Sequence, residues 1–217
     1  MNEKFFDLPV AKQDRMVNGA LEVFAKNGYK HASTDDMVKA VGVSKGLWFH
    51  YFGSKFGLYI FVFEYSIKHL LLELSITVNE EEKDFFEITK QIELTKLKLS
   101  KNYPYMMRFL EASFKEADEE IIEKTSESRD IIKDRVNSLI KNSEIKNIDD
   151  KVKRERLKKM TNYAVNGLVR DKMEKNIEPD TIYKEVKQYI DMFKMMSGEI
   201  ENLSSTSKIH ISESVAS

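Results

Sequence analysis

Apolar and polar positions alternate with a helical period along nearly the whole chain. After Pro9, the residues Val17, Ala20, Leu21, Phe24 and Ala25 recur at intervals of three and four. That stripe predicts an amphipathic helix from about Pro9 to Lys26, with proline tolerated in the first turn and Asn27-Gly28 as its stop. A short helix is expected next. Thr34 reads as its N-cap, Asp35 and Asp36 sit at the positive end of its dipole, and Gly42 ends it. Ser44 is a fresh cap only two residues later and predicts a third helix over 45–52. Gly53-Ser54 breaks that helix, and Ser54 starts a long one to about Val78. Amphipathic runs then cover 80–102, 105–117, 118–142, 150–175 and 180–202. The serine-rich remainder, 203–217, reads as a flexible polar tail. No strand pattern or internal repeat is visible, so the expected class is all-α.

Composition agrees with this reading. The 217 residues are 41% hydrophobic and 33% charged, with 3 prolines and 8 glycines, a balance that favours helix over sheet. The absence of cysteine excludes disulfides, thiolate metal sites and a cysteine nucleophile, and fits a reducing, cytoplasmic setting. No apolar run of signal-peptide length opens the chain. The stretch 57–78 is long enough to suggest a membrane span. Glu64, Lys68, His69 and Glu73 recur along one side of it, however, which points to an amphipathic helix. No membrane association is expected. The net charge of −1 means that any nucleic-acid surface must be local.

Residues 33–55, "STDDMVKAVGVSKGLWFHYFGSK", raise the main chemical question. Two short helices joined by a glycine turn must cross steeply, as in a helix-turn-helix, whose second helix enters the DNA major groove. In that frame Thr34, Ser44, Tyr51 and Ser54 offer hydroxyls to phosphate. Lys45 can donate to guanine, and Gly46 permits close approach. Leu47 can cover a thymine methyl, His50 and Lys55 can meet phosphate, and Trp48 can pack on sugars or on the first helix. Phe49 and Phe52 are expected to pin the helix to Val38, Val41 and Phe24. A short aromatic helix is often only core, so spacing alone leaves DNA binding and a purely structural role equally open.

The segment "AKQDRMVNGALEVFAKNGYKHASTDDMVKAVGVSKGLWFHYFGSKFGLY" resembles the DNA-binding domain of the TetR family of bacterial transcriptional regulators. The resemblance is carried by the first helix ending in Gly28-Tyr29 and by Ser33-Thr34. It continues through Gly42-Val43-Ser44-Lys45-Gly46, His50-Tyr51-Phe52, Ser54-Lys55 and Leu58. It implies a three-helix DNA-binding domain over 1–53 and a larger helical bundle for ligand binding and dimerisation over 54–202. The implied function is a homodimeric repressor of double-stranded operator DNA, released by a small molecule. Two departures stand out: Leu47 replaces a small or polar residue, and Phe49 often is tyrosine in the family. Losing that phenol removes a possible phosphate contact.

Beyond residue 60 the resemblance fades. Two long helices joined by a short turn should pack antiparallel. Leu157, Met160, Tyr163, Ala164, Gly167 and Leu168 line one, and Tyr189, Ile190 and Phe193 the other. In the family such pairs build a four-helix dimer interface, whereas otherwise the same stripes would close the monomer's own core. Tyr103, Tyr105, Met106, Met107, Phe109, Leu110 and Phe114 supply the rings and thioethers that suit an adaptable apolar cavity. They are the expected site for an apolar or amphipathic effector. Nothing suggests an enzyme, a cofactor or a metal. There is no paired Glu-x-x-His and no strand with a phosphate loop, and the Asp pairs at 35–36 and 149–150 sit where helices start. The rival reading is a helical protein-interaction module that does not bind DNA sequence-specifically.

Overall fold

The computed structural model describes residues 3–146, 148–175 and 177–214, with side chains over 4–198 of these. Among them the regular structure is a one-turn 3-10 segment, Glu3–Phe5, and nine α-helices. The helices are α1 (Val10–His31), α2 (Thr34–Val41), α3 (Lys45–Phe52), α4 (Lys55–Thr77), α5 (Phe85–Asn102), α6 (Met106–Ser113), α7 (Glu119–Lys141), α8 (Lys151–Glu174) and α9 (Pro179–Ser214). The all-α expectation holds.

Several boundaries differ for local reasons. Gly28, at φ 67° and ψ 177°, interrupts α1 as expected, but helical turns resume to His31. Ser33, not Thr34, caps α2, since its Oγ accepts the Asp36 N–H at 3.4 Å. The run at 80–102 begins helically only at Phe85, because Asp84 accepts the N–H groups of Phe86 and Glu87. The helical backbone of α9 continues to Ser214, through much of the stretch expected as a tail, and 215–217 lie outside the described residues.

The chain forms two compact units. One unit holds the residues up to 76 together with 98–136. In it, α1 packs on α2 and α6, and α2 on α3. A Cβ at Gly19 would collide with the Val41 side chain, so glycine sets the α1–α2 approach. Met16, Leu21, Phe24, Met37, Tyr59, Phe63 and Phe109 are almost wholly buried there. Polar contacts tie the same helices. Tyr59 donates to Ser113 Oγ at 2.9 Å, and the Tyr103 hydroxyl lies 2.9 Å from Asp14 Oδ1 and 2.6 Å from the Tyr65 hydroxyl. Burial pushes the Tyr103 phenol well above its ordinary value.

The other unit holds 77–97 and the chain from 137 on. Here α8 and α9 pack together around Phe85, Phe86, Ile145, Ile148, Leu157, Val165, Ile182, Val186 and Ile190. Charges brace α9 against α5. Lys90 pairs with Asp191 at 2.6 Å and Glu87 at 3.0 Å, and Lys194 pairs with Glu87 at 2.8 Å and Asp84 at 3.0 Å.

Cations close three helix ends, where the last carbonyls have no intrahelical donor. Lys55 Nζ donates to the carbonyls of Tyr29, Lys30 and Ala32 at 2.9, 3.3 and 3.4 Å and stands 4.7 Å from the Tyr29 ring centre. Arg129 donates to the Ser113 carbonyl at the end of α6 at 2.8 Å. Lys158 donates to the Ile140 carbonyl in the last turn of α7 and to the Ser143 carbonyl just beyond it, at 3.1 and 2.7 Å. Replacing Lys55 by methionine keeps the length of the stem but removes the donors. The Lys55→Met protein is expected to lose about 1–3 kcal/mol of stability, the cost of stranding partly buried acceptors. Urea unfolding reads this directly, and an unchanged midpoint would show that the latch carries no energy.

Candidate nucleic-acid interface

The two short helices owe their limits to two serines and two glycines. Ser33 caps α2, and Ser44 caps α3 by accepting the Leu47 N–H at 3.2 Å. Gly42 ends α2 at φ 71° and Gly53 ends α3 at φ 73°, left-handed conformations that side chains resist. Ser54 then accepts the Gly57 N–H at 3.0 Å and opens α4. A Cβ at Gly57 would strike the Phe52 carbonyl, so α4 leaves α3 at closest approach.

An eight-residue helix needs tertiary support, and its aromatics supply it. Trp48, Tyr51 and Phe52 are buried. Trp48 meets Phe52 edge-on at 5.5 Å. Phe5 is fully buried, 5.8 Å from Tyr51, 5.3 Å from Phe52 and 5.1 Å from Phe61. Sequence reasoning missed this role for the N-terminal segment. The signal was present as Phe5-Phe6 within a charged stretch, two large apolar residues with no stripe of their own.

The opposite face of α3 is open. Lys45, Gly46, Phe49 and His50 are exposed, and Leu47 is half-buried. Lys45 Nζ lies 2.8 Å from Asp35 Oδ1, and its hydrogen bond holds the Asp35 carboxyl below the usual carboxylate range. Nothing stands within 4 Å of where a Gly46 Cβ would be.

The expected contact residues therefore divide. Lys45, Gly46 and His50 share the open face, with Leu47 at its margin. Thr34 is half-buried in the first turn of α2, and Ser44 and Ser54 are exposed caps. Trp48 and Tyr51 are buried, and their rings hold the short helix. Lys55 latches onto the end of α1. Phe49, expected as a core pin, is an exposed ring. Phe52 alone keeps the pinning role.

The expected effector residues do not converge on one space. Met106, Phe109 and Leu110 are buried, with Phe109 5.3 Å from Tyr59 and 6.1 Å from Phe24. Tyr103 belongs to the hydroxyl cluster, and Met107 is half-buried. Phe114 is exposed, with Arg129 5.3 Å from its ring centre. Tyr105 is the member of this set that lines an open groove of about 420 Å³ bounded by Asp14, Asn18, Glu22, Ala40 and Lys101. The expected dimer residues also split. Leu157 and Ile190 are monomer core, and Leu168 and Phe193 pack on it. Ala164 and Gly167 are half-buried, whereas Met160, Tyr163 and Tyr189 are exposed. Among the described residues, no helix is long and apolar enough to cross a membrane.

Comparison with known proteins converges on the same segment. Residues 17–60 match the profile described as bacterial regulatory proteins, tetR family. None of the curated protein sequences matches the chain. Solved structures share its fold. A TetR family transcriptional regulator from Chloroflexus aurantiacus J-10-FL aligns with a TM-score of 0.59 at 18% identity, over 91% of this chain and 96% of that one. The fatty acid degradation regulator FadR from Bacillus halodurans aligns with a TM-score of 0.57 at 19% identity, over 82% and 96%. A TetR-like transcriptional regulator from Rhodococcus sp. RHA1 gives 0.56 at 17% identity, over 84% and 96%. Residues 17–60 are thus similar to the N-terminal domain of the tetR family of bacterial regulatory proteins, and the chain as a whole shares the fold of solved TetR-family transcriptional regulators.

Proposed function

We propose that the protein is a homodimeric, sequence-specific DNA-binding repressor. The observation that carries this reading is the division of α3 into a buried aromatic face and an open face bearing Lys45, Gly46 and His50. A helix held from behind and bare in front is what major-groove insertion requires. Lys45 is the candidate base donor, and the caps Ser44 and Ser54 with Thr34 are candidate phosphate contacts.

Dimerisation is supported by apolar surface that the monomer leaves uncovered. Met160 and Tyr163 on α8 and Tyr189, Met192, Met195 and Met196 on α9 are all exposed. The two helices already pack together, so a second copy meeting them by a two-fold axis would cover both stripes at once. A small-molecule effector, as the resemblance implies, with the apolar or amphipathic character that the rings and thioethers of 103–114 suit, would act by prying α6 from α1. Phe109 already packs against Phe24 of α1 there, so entry displaces it.

Two measurements test the reading. Genomic fragments retained by the protein should share a palindrome with half-sites about one helical turn, or a small multiple, apart, and affinity should fall steeply with salt. Lys45→Ala should relax base preference and cost about 1–3 kcal/mol. Salt-independent capture without an enriched palindrome would instead favour a protein-interaction module. For assembly, Tyr163→Glu places a charge on a side chain that is 73% exposed in the monomer. The fold should survive, while sedimentation shows a monomer and operator affinity collapses. A Tyr163→Glu protein that remains dimeric would move the interface off this face.

A further inference from the structure

The open face of α3 contains a residue that neither hydrogen bonding nor packing explains. At about 3.6 residues per turn the exposed positions follow one another around the helix as Lys45, Phe49, Gly46 and His50. Phe49 therefore lies inside the arc, between the lysine and the glycine. It is 37% exposed, whereas Trp48, Tyr51 and Phe52 on the same two turns are between 1% and 8% exposed. Those three rings make aromatic contacts with one another or with Phe5 and Phe61. Phe49 makes none among the described residues. Beside it, Gly46 leaves open space where a side chain would stand, so a flat partner can reach the ring edge without obstruction.

Building on the DNA-binding reading, we propose that Phe49 is a specificity-determining residue whose ring reads the 5-methyl group of one thymine in each half-site. A phenyl ring has no donor or acceptor and cannot use the hydrogen-bond code of the base edges. The apolar feature that the major groove displays is the thymine methyl. A ring in the middle of the arc, with bare backbone next to it, can cover that methyl and exclude water from it. Lys45 precedes Phe49 by four residues, about 6 Å along the helix axis. With successive bases about 3.4 Å apart along a strand, the thymine lies one or two base pairs from the site that Lys45 reads.

The test uses the operator recovered by genomic selection and the full-length protein. Each thymine is replaced singly by deoxyuridine, which removes the methyl and leaves every hydrogen-bonding atom in place. Wild-type protein should lose roughly fourfold in affinity at one thymine per half-site, the factor expected for one buried methyl-sized group, and should be insensitive elsewhere. Phe49→Ala should bind the native operator less tightly and show no loss at that thymine. Phe49→Tyr, which keeps the ring, should retain the sensitivity, and circular dichroism checks that both variants are folded. If Phe49→Ala and wild type respond identically to every deoxyuridine, or if wild type responds to none, Phe49 is not the reader, although operator binding stands. If the wild-type protein selects no operator at all, the DNA-binding reading fails and this proposal with it.

Discussion

Helix C-termini govern this fold. A chain that is almost entirely helix and has only 8 glycines ends many helices with carbonyls that point at nothing. Each buried carbonyl left so costs about as much as a lost hydrogen bond. The protein answers with long cationic side chains borrowed from other helices. Lys55 reaches the end of α1, Arg129 the end of α6 and Lys158 the end of α7. Each cation also meets the negative end of a helix dipole and lies near an aromatic ring, that of Tyr29, Phe63 or Phe85. Lys158 shows the balance of terms, since burial holds its ammonium below the ordinary lysine value while two carbonyls accept from it. Such contacts fix where one helix stops against another, and the α1–α4 latch thereby frames the short helices between them.

Within that frame α3 is held by rings rather than by its own hydrogen bonds. Phe5 closes the cluster from the N-terminal side and Phe61 from α4. The arrangement costs something, because Trp48 Nε1 is buried without an acceptor. Its ring sits at 1% exposure, and the apolar area removed from water offsets the unmade bond. The gain is a helix whose position does not depend on its outward face. Gly46 and Phe49 on that face can consequently differ without unfolding the domain.

Much of this was legible in the sequence. The caps at Ser44 and Ser54, the turns at Gly42 and Gly53 and the limits of α3 follow from local chemistry, and the structure keeps them. The all-α class followed from periodicity. What local pattern could not supply was the partner of each side chain. Lys55 looks like any basic residue after a helix-turn-helix until the carbonyls of residues 29–32 are seen beside it. Phe49 and Phe52 are three apart and look like one stripe, yet Phe5, distant in sequence, packs on Tyr51 and Phe52 while Phe49 stays exposed. Phe109 reads as cavity lining because nothing in its spacing announces that Phe24 and Tyr59 pack against it. The stripes on α8 and α9 each contain both core and surface residues, since a helix can bury one edge in its own unit and present the other.

The remaining constraint is electrostatic. A chain with a net charge of −1 must concentrate positive potential where it meets phosphate, yet its foremost lysine is paired. Lys45 and Asp35 are both more than half exposed, at 53% and 59%, so solvent screens their attraction and the pair is weak. That weakness suits an exchange. Asp35 stands in the first turn of α2 beside the positive end of that helix, where its charge remains favourable after the lysine leaves. On the proposed reading Lys45 is the base donor, and it gives up one exposed oxygen for a base acceptor at little cost. The ion pair is then its rest position, which leaves less of its side chain to be ordered on binding.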